Sequence, residues 1–255
     1  MPEVGELLRR WRQRRRVSQL ELAGRSGVSS GHISFVETGR ATPSRRMVLH
    51  LAEHLDVPLR ERNGLLVAAG YAPVYRERSL DAPDMAAARD ALRLVLDGHE
   101  PYPALVVDRL WNLVDSNAAA DVFLDGVDAA LLEPPVNVMR LGLHPGGFAP
   151  RVVNLPEVRA RLMARPARQV TREGDPRLAA LHEELLPYGP PDDYPRPGAH
   201  DIALPLRIRH RGRELCFIST IATFGTAVDI TLAGIAIESY FPADRATAEA
   251  LAARS

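Results

Sequence analysis

Along the first seventy residues apolar positions recur at helical spacing; further on they begin to alternate. Val4, Leu7, Leu8 and Trp11 fall three, one and three apart, one face of a helix over 4–16 whose other face is arginine. Ser18, with Glu21 three residues on, spells a capping box that opens a second helix with Leu20, Leu22 and Ala23 on its buried side. Gly27-Val28 makes a turn, since glycine accepts a positive φ. Ser29 caps a third helix with Ile33 and Val36 inward and Gly39 at its end. Ser44 caps a fourth, with Met47, Leu51 and Leu55 as its stripe, and Pro58 opens a fifth that runs through Leu65 and Leu66 to Gly70. The pattern predicts an all-α, five-helix domain with a tight turn between helices two and three.

Tyr71 to Asp84, "YAPVYRERSLDAPD", interrupts the periodicity with two prolines and mixed charge. It divides the chain into domains at 1–71 and 85–255 with a linker at 72–84. A helix from Met85 to Leu96 comes next. "PALVVDRLWNLVDSN" then holds two apolar runs, Ala104 to Val107 and Trp111 to Val114, around a turn at Asp108-Arg109, which predicts a hairpin. Asn117 to Phe123 reads as a helix of small residues, and 136–186 as helices broken by Pro145, Pro166 and Pro187. "DIALPLRIRHRGRELCFISTIATF" predicts a second hairpin around Arg211-Gly212, with Leu204, Leu206 and Ile208 alternating against Pro205, Arg207 and Arg209. "ITLAGIAIESYF" supplies a last strand, and Ala243 to Ala253 a helix that Asp244 starts. Two strands, several helices and three strands predict an α+β domain: a five-stranded antiparallel sheet with helices on one side.

Composition narrows the class. With 46% hydrophobic and 25% charged residues this is folded, soluble protein. No run of eighteen apolar residues occurs and the N-terminus has no apolar signal region, so a cytoplasmic protein without a membrane partner is expected. The single cysteine, Cys216, lies in an apolar, β-branched run and reads as a small core residue. A net charge of zero conceals an asymmetry: residues 1–78 carry 14 Arg against 8 acidic residues, and residues 79–255 carry 18 against 24. The basic half is the natural place for a polyanion. Enzyme chemistry has little footing, since no G-x-S-x-G elbow, P-loop or G-x-G-x-x-G fingerprint is expected. His182-Glu183-Glu184 lacks the second histidine of a zinc motif, and His50 and His54 have no third ligand in view. No enzyme activity, metal or cofactor is expected.

"SQLELAGRSGVSSGHISFVETGRATPS" closely resembles the lambda-repressor-like, or XRE-type, helix-turn-helix family, and the resemblance covers residues 4–70. It implies that the third helix enters the major groove of double-stranded DNA. Gln19 is then a phosphate contact that supports this recognition helix. Ser29, Ser30 and His32 lie on its first turn, where side chains meet base edges, and Thr38 and Arg40 lie at the exit loop beside the backbone. Gly31 and Phe35 stand where relatives often carry Gln, Asn or Arg, so bidentate base contacts are absent there. Phe35 either presses on a thymine methyl or packs beside helix two. Arg12, Arg14, Arg15 and Arg16 are candidates for phosphate contact. So few base readers predict steep salt dependence and a homodimer on paired half-sites.

"YPALVVDRLWNLVDSN", "NVMRLGLHPGGFAPRVVNLPEV" and "FGTAVDITLAGIAIESYFPADRATAEAL" together resemble the MmyB-like ligand-binding domain, over residues 85–253. That domain is commonly fused behind an XRE-type helix-turn-helix in bacterial regulators. The resemblance implies a PAS-like pocket for a small apolar, fatty-acid-like effector. Trp111, Phe123, Met139, Leu141, Phe217 and Phe224 are candidates for its wall, or are plain core. Arg140, His144 or Arg151 would hold a carboxylate, or else Arg140 and His144 only cap a helix or pair with an acid such as Glu157. Asp229 and Glu238 are candidate hydrogen-bonding partners within the fold. The expected protein is a sequence-specific DNA-binding transcriptional regulator; the alternative keeps DNA binding and makes the second domain a ligand-free dimerisation or protein-interaction module.

Overall fold

A computed structural model describes residues 3–189, 204–224 and 229–253. The chain forms two compact units: residues 1–79 with 171–173 and 226–233, and residues 80–170 with 174–225 and 234–255.

In the first unit α1 (Val4–Arg14), α2 (Gln19–Ser26), α3 (Ser30–Glu37), α4 (Arg45–His54) and α5 (Leu59–Ala68) surround one core that includes Leu8, Trp11, Leu22, Ile33, Leu51 and Leu66. The side chains of Ser18, Ser29 and Ser44 accept the backbone N–H of Glu21, His32 and Met47, and Glu21 completes the capping box on Ser18. Gly27 ends α2 in the left-handed region at φ 69°. Helix α1 lies against α3 so closely that a Cβ on Gly5 would stand 2.1 Å from the Val36 carbonyl oxygen. Three expectations are corrected. Helix α1 stops at Arg14, with Arg16 at φ 56°. Leu20 is 75% exposed, because Leu22 and Ser26 share the buried face of α2 and Leu20 points away from them. Val48, not Met47, takes the core position on α4.

The second unit holds α6 (Ala86–Asp97), β1 (Ala104–Val107), β2 (Leu113–Ser116), α7 (Val138–Leu143), α8 (Leu155–Glu173), α9 (Pro176–Leu185), β3 (Leu206–His210) and β4 (Arg213–Thr223), then, past α10 (Ile230–Ala233) of the first unit, β5 (Ala236–Pro242) and α11 (Arg245–Ala252); residues 171–173 at the end of α8 are counted with the first unit. The five-stranded sheet has the order β2-β1-β5-β4-β3, with every pair antiparallel. Alternation sends Leu105 and Phe217 into one core, and Ala104, Val106 and Ile237 into another that Leu92 and Leu96 of α6 complete. Helices therefore pack on both faces of the sheet, not one. The β3–β4 turn has positive φ at both Arg211 and Gly212, the two-residue turn that suits strand twist.

Other boundaries move as well. Strand β2 starts at Leu113, since the Asp108 carboxylate accepts the N–H groups of Leu110 and Asn112 and Trp111 sits at φ 66°. Ile230–Ala233 is helical, and the last strand begins only at Ala236. Pro166 lies inside α8 without ending it. Its ring removes one N–H, yet Pro166 is itself buried, buried Val158 and Met163 anchor the helix before it, and Gln169 anchors it afterwards by accepting from the Trp111 indole and donating to the Arg109 carbonyl. Asp201–Ala203 of the predicted second hairpin and Gly225–Val228 of the last block lie outside the described residues.

Candidate nucleic-acid interface and ligand pocket

Helix α3 buries Ile33, Val36 and Glu37 and presents Ser30, Gly31, His32 and Phe35 to solvent. Helical spacing sets Gly31, Phe35 and Thr38 in one outward row. Phe35 is 49% exposed, so half of its ring is open to solvent. The Ser29 hydroxyl caps the helix, and the Thr38 hydroxyl donates to the Ser34 carbonyl at 2.7 Å. Glu37 anchors the C-terminal end: Arg12 donates to it at 2.6 and 2.8 Å and the Gln19 amide at 2.9 Å. Burial alone would raise the Glu37 carboxyl; these donors overcome it and hold the group below the usual carboxylate range.

Gln19 thus braces the recognition helix from within. Arg12 is fixed on Glu37 and Arg15 on the carbonyls of Leu55 and Asp56, so neither presents a free guanidinium; Arg14 stacks over Trp11. Arg45 and Arg46, which the sequence does not single out, are exposed at the start of α4 beyond Arg40, with no ion pair among the described residues. Their signal was a cationic pair directly after a cap serine. Gly27-Val28-Ser29-Ser30-Gly31 has the G-x-S-x-G spelling of a nucleophile elbow, but it joins two helices and its Ser29 is a cap.

The second unit contains a cavity of about 60 Å³ between the sheet and helices α7 and α8. Its apolar wall includes Leu105, Phe123, Met139, Leu141, Phe148 and Leu162. Its polar wall is Arg161 and Arg165 of α8 with Glu238 and Tyr240 of β5 and Ser116 of β2. Arg165 donates to Glu238 at 3.0 Å, and these two side chains are 11% and 4% exposed. Arg161 donates to the Leu204 carbonyl at 3.0 Å and the Ser219 hydroxyl at 2.9 Å; its buried Nε has no partner. Burial, reinforced by the neighbouring Arg165, lowers the Arg161 guanidinium from its ordinary value. Burial, with Glu238 beside it, pushes the Tyr240 hydroxyl up.

Of the residues expected at such a pocket, Phe123, Met139 and Leu141 line it and the others do not. Phe217 is fully buried core, Phe224 packs in the cluster on the other face, and Trp111 donates its indole N–H to Gln169. Arg140 is clamped on Glu184 at 2.5 and 2.8 Å, His144 accepts the Gly146 N–H, and Arg151 donates to the Val122 and Phe123 carbonyls. The acid at Arg140 is Glu184, not Glu157. Asp229 caps the short helix α10 through the Thr231 N–H.

Residues 88–253 match the family described as MmyB-like transcription regulator ligand binding domain. The chain belongs to that family. A helix-turn-helix domain family matches residues 3–65. HTH-type transcriptional repressor RghR of Bacillus subtilis (strain 168) is 40% identical over 78 residues, 30% of this chain and 56% of the repressor. Uncharacterized HTH-type transcriptional regulator RghRB of the same organism is 35% identical over 85 residues, 33% and 59% of the two chains. The match thus spans a little over half the length of each relative. This MmyB-like chain thus joins a helix-turn-helix domain to an MmyB-like transcription regulator ligand binding domain. Burial pushes its Cys216 thiol up, away from a nucleophile's range. Among the described residues no helix is long and apolar enough to cross a membrane and no group of side chains is placed to hold a metal.

Proposed function

We propose that the chain is a cytoplasmic, homodimeric regulator that binds paired DNA half-sites and responds to a small fatty-acid-like effector in a PAS-like domain. Residues 1–71 form the DNA reader, 72–84 the linker and 85–255 the sensor. Ser30, His32 and Phe35 read base edges, while Thr38, Arg40 and the arginines at the start of α4 meet the backbone. One observation carries the effector reading: a buried guanidinium nitrogen, Arg161 Nε, stands without a partner at the wall of a largely apolar cavity. Leaving a buried charged donor unmade is costly, and an anionic head group would satisfy it. Two guanidiniums against one carboxylate give the same preference for an anion.

The effector would shift the population of subunit arrangements, and with it the spacing of the two α3 helices on DNA. Organic-solvent extraction of the purified protein followed by mass spectrometry should find a co-purifying carboxylic acid. Adding that acid should raise the melting temperature and change operator affinity, and Arg161→Gln should remove both responses. An Arg161→Gln protein that responds like the wild type would refute the assignment, and light scattering that returns a monomer on operator DNA would refute the dimer.

A further inference from the structure

If the cavity is the effector site, as proposed above, its charged wall asks for more than a negative charge. Glu238 stands in the middle strand between Leu105 of β1 and Ile221 of β4, so its carboxylate faces the cavity. Arg161 is tied to Ser219, which pairs across the strands with Tyr240, two residues along from Glu238. A head group on Arg161 therefore arrives beside the Glu238 carboxylate. Arg165 donates to Glu238, and Tyr240 lines the cavity with it, whereas a carboxylate accepts about four hydrogen bonds. A simple fatty acid would bring a like charge to this carboxylate in a water-poor cavity and offer no donor to its remaining lone pairs. A hydroxyl next to the acid reverses the second effect and offsets the first.

We propose that the effector is a short-chain hydroxy acid, its carboxylate on Arg161, its hydroxyl donating to Glu238 and its alkyl part against Phe123, Met139 and Leu162. The cavity volume of about 60 Å³ is room for roughly four to six water molecules, which suits a chain of a few carbons.

Calorimetry on the full chain with hexanoate, both enantiomers of 3-hydroxyhexanoate, and 3-methoxyhexanoate tests this. One enantiomer of the hydroxy acid should bind at least about tenfold more tightly than hexanoate, the cost of one missing hydrogen bond to a charged group. The methoxy acid, which accepts but cannot donate, should bind no better than hexanoate. Glu238→Gln should shrink the preference to within about threefold; if that variant does not fold, the methoxy comparison decides alone. Equal binding of hexanoate and both hydroxy acids, or a methoxy acid as tight as the hydroxy acid, overturns the hydroxy-acid assignment and leaves the anion site standing. No binding of any of these acids overturns the effector site and the hydroxy acid together.

Discussion

Arg12 and Glu37, 25 residues apart, are joined by two hydrogen bonds that bind α1 to the end of the recognition helix. Both side chains are largely withdrawn from water, at 12% and 3% exposure, so removing one partner strands the other. Arg12→Ala should destabilise the protein by about 3 kcal/mol, read by urea unfolding, and weaken DNA binding with it. A cost under about 0.5 kcal/mol, the range of an exposed pair, would show that this contact does not hold α3 in place. The lowered Glu37 carboxyl fixes the sign with pH: its contribution is complete above the unfolded value near about 4.3 and is lost as pH falls through the lower folded value.

The second unit has its own acid-sensitive pair. Asp175 is buried, accepts from Arg109 and Arg177, and caps α9 through the Arg177 N–H. Burial alone would raise its carboxyl, but the donors bring it down to about 2. A depressed folded value means stability present above the unfolded pKa of about 3.9 and lost as pH falls toward 2. Asp175→Asn should cost about 2 kcal/mol at pH 7 and progressively less below pH 4. A deficit independent of pH would locate the effect in packing instead.

Much of this architecture was legible because caps and alternation are local. Ser18, Ser29 and Ser44 mark helix starts by their own hydroxyls, and the Leu206–His210 alternation marks a strand by which residues it buries. The pocket was less legible because its charged wall is assembled by tertiary pairing. Arg161 and Arg165 sit with Val158 and Leu162 on one face of α8, a spacing the sequence does contain, but nothing local says which face of that helix meets the sheet. Arg140 looked equally suitable by composition, and only the approach of Glu184 on another helix shows it to be engaged.

The charged face of the DNA reader divides by the same criterion. Arg40, Arg45 and Arg46 are exposed and make no ion pair among the described residues, while Arg15 holds two carbonyls of its own domain. Replacing any one of the first three by alanine should weaken binding to all sequences alike and reduce the slope of log K against log salt by about one per half-site. Arg15→Ala should lower stability and leave that slope unchanged. Slopes unaltered in Arg40→Ala, Arg45→Ala and Arg46→Ala would remove them from the phosphate interface.

Phe35 supplies the sharpest test of how α3 reads bases. Its ring is half exposed, in line with Gly31, where an added Cβ would meet nothing within 4 Å. A recognition helix with a bare notch beside an aromatic ring has no bidentate reader there, and the contact open to it in the major groove is the thymine methyl. Selected operators should therefore carry thymine at one fixed position per half-site. Replacing that thymine by deoxyuridine removes only the methyl and should cost about 0.8 kcal/mol, roughly fourfold in affinity, in the wild type and nothing further in Phe35→Ala. A wild-type protein indifferent to the methyl, or a variant that still senses it, would assign the reading to another side chain and leave Phe35 as an apolar filler of the groove.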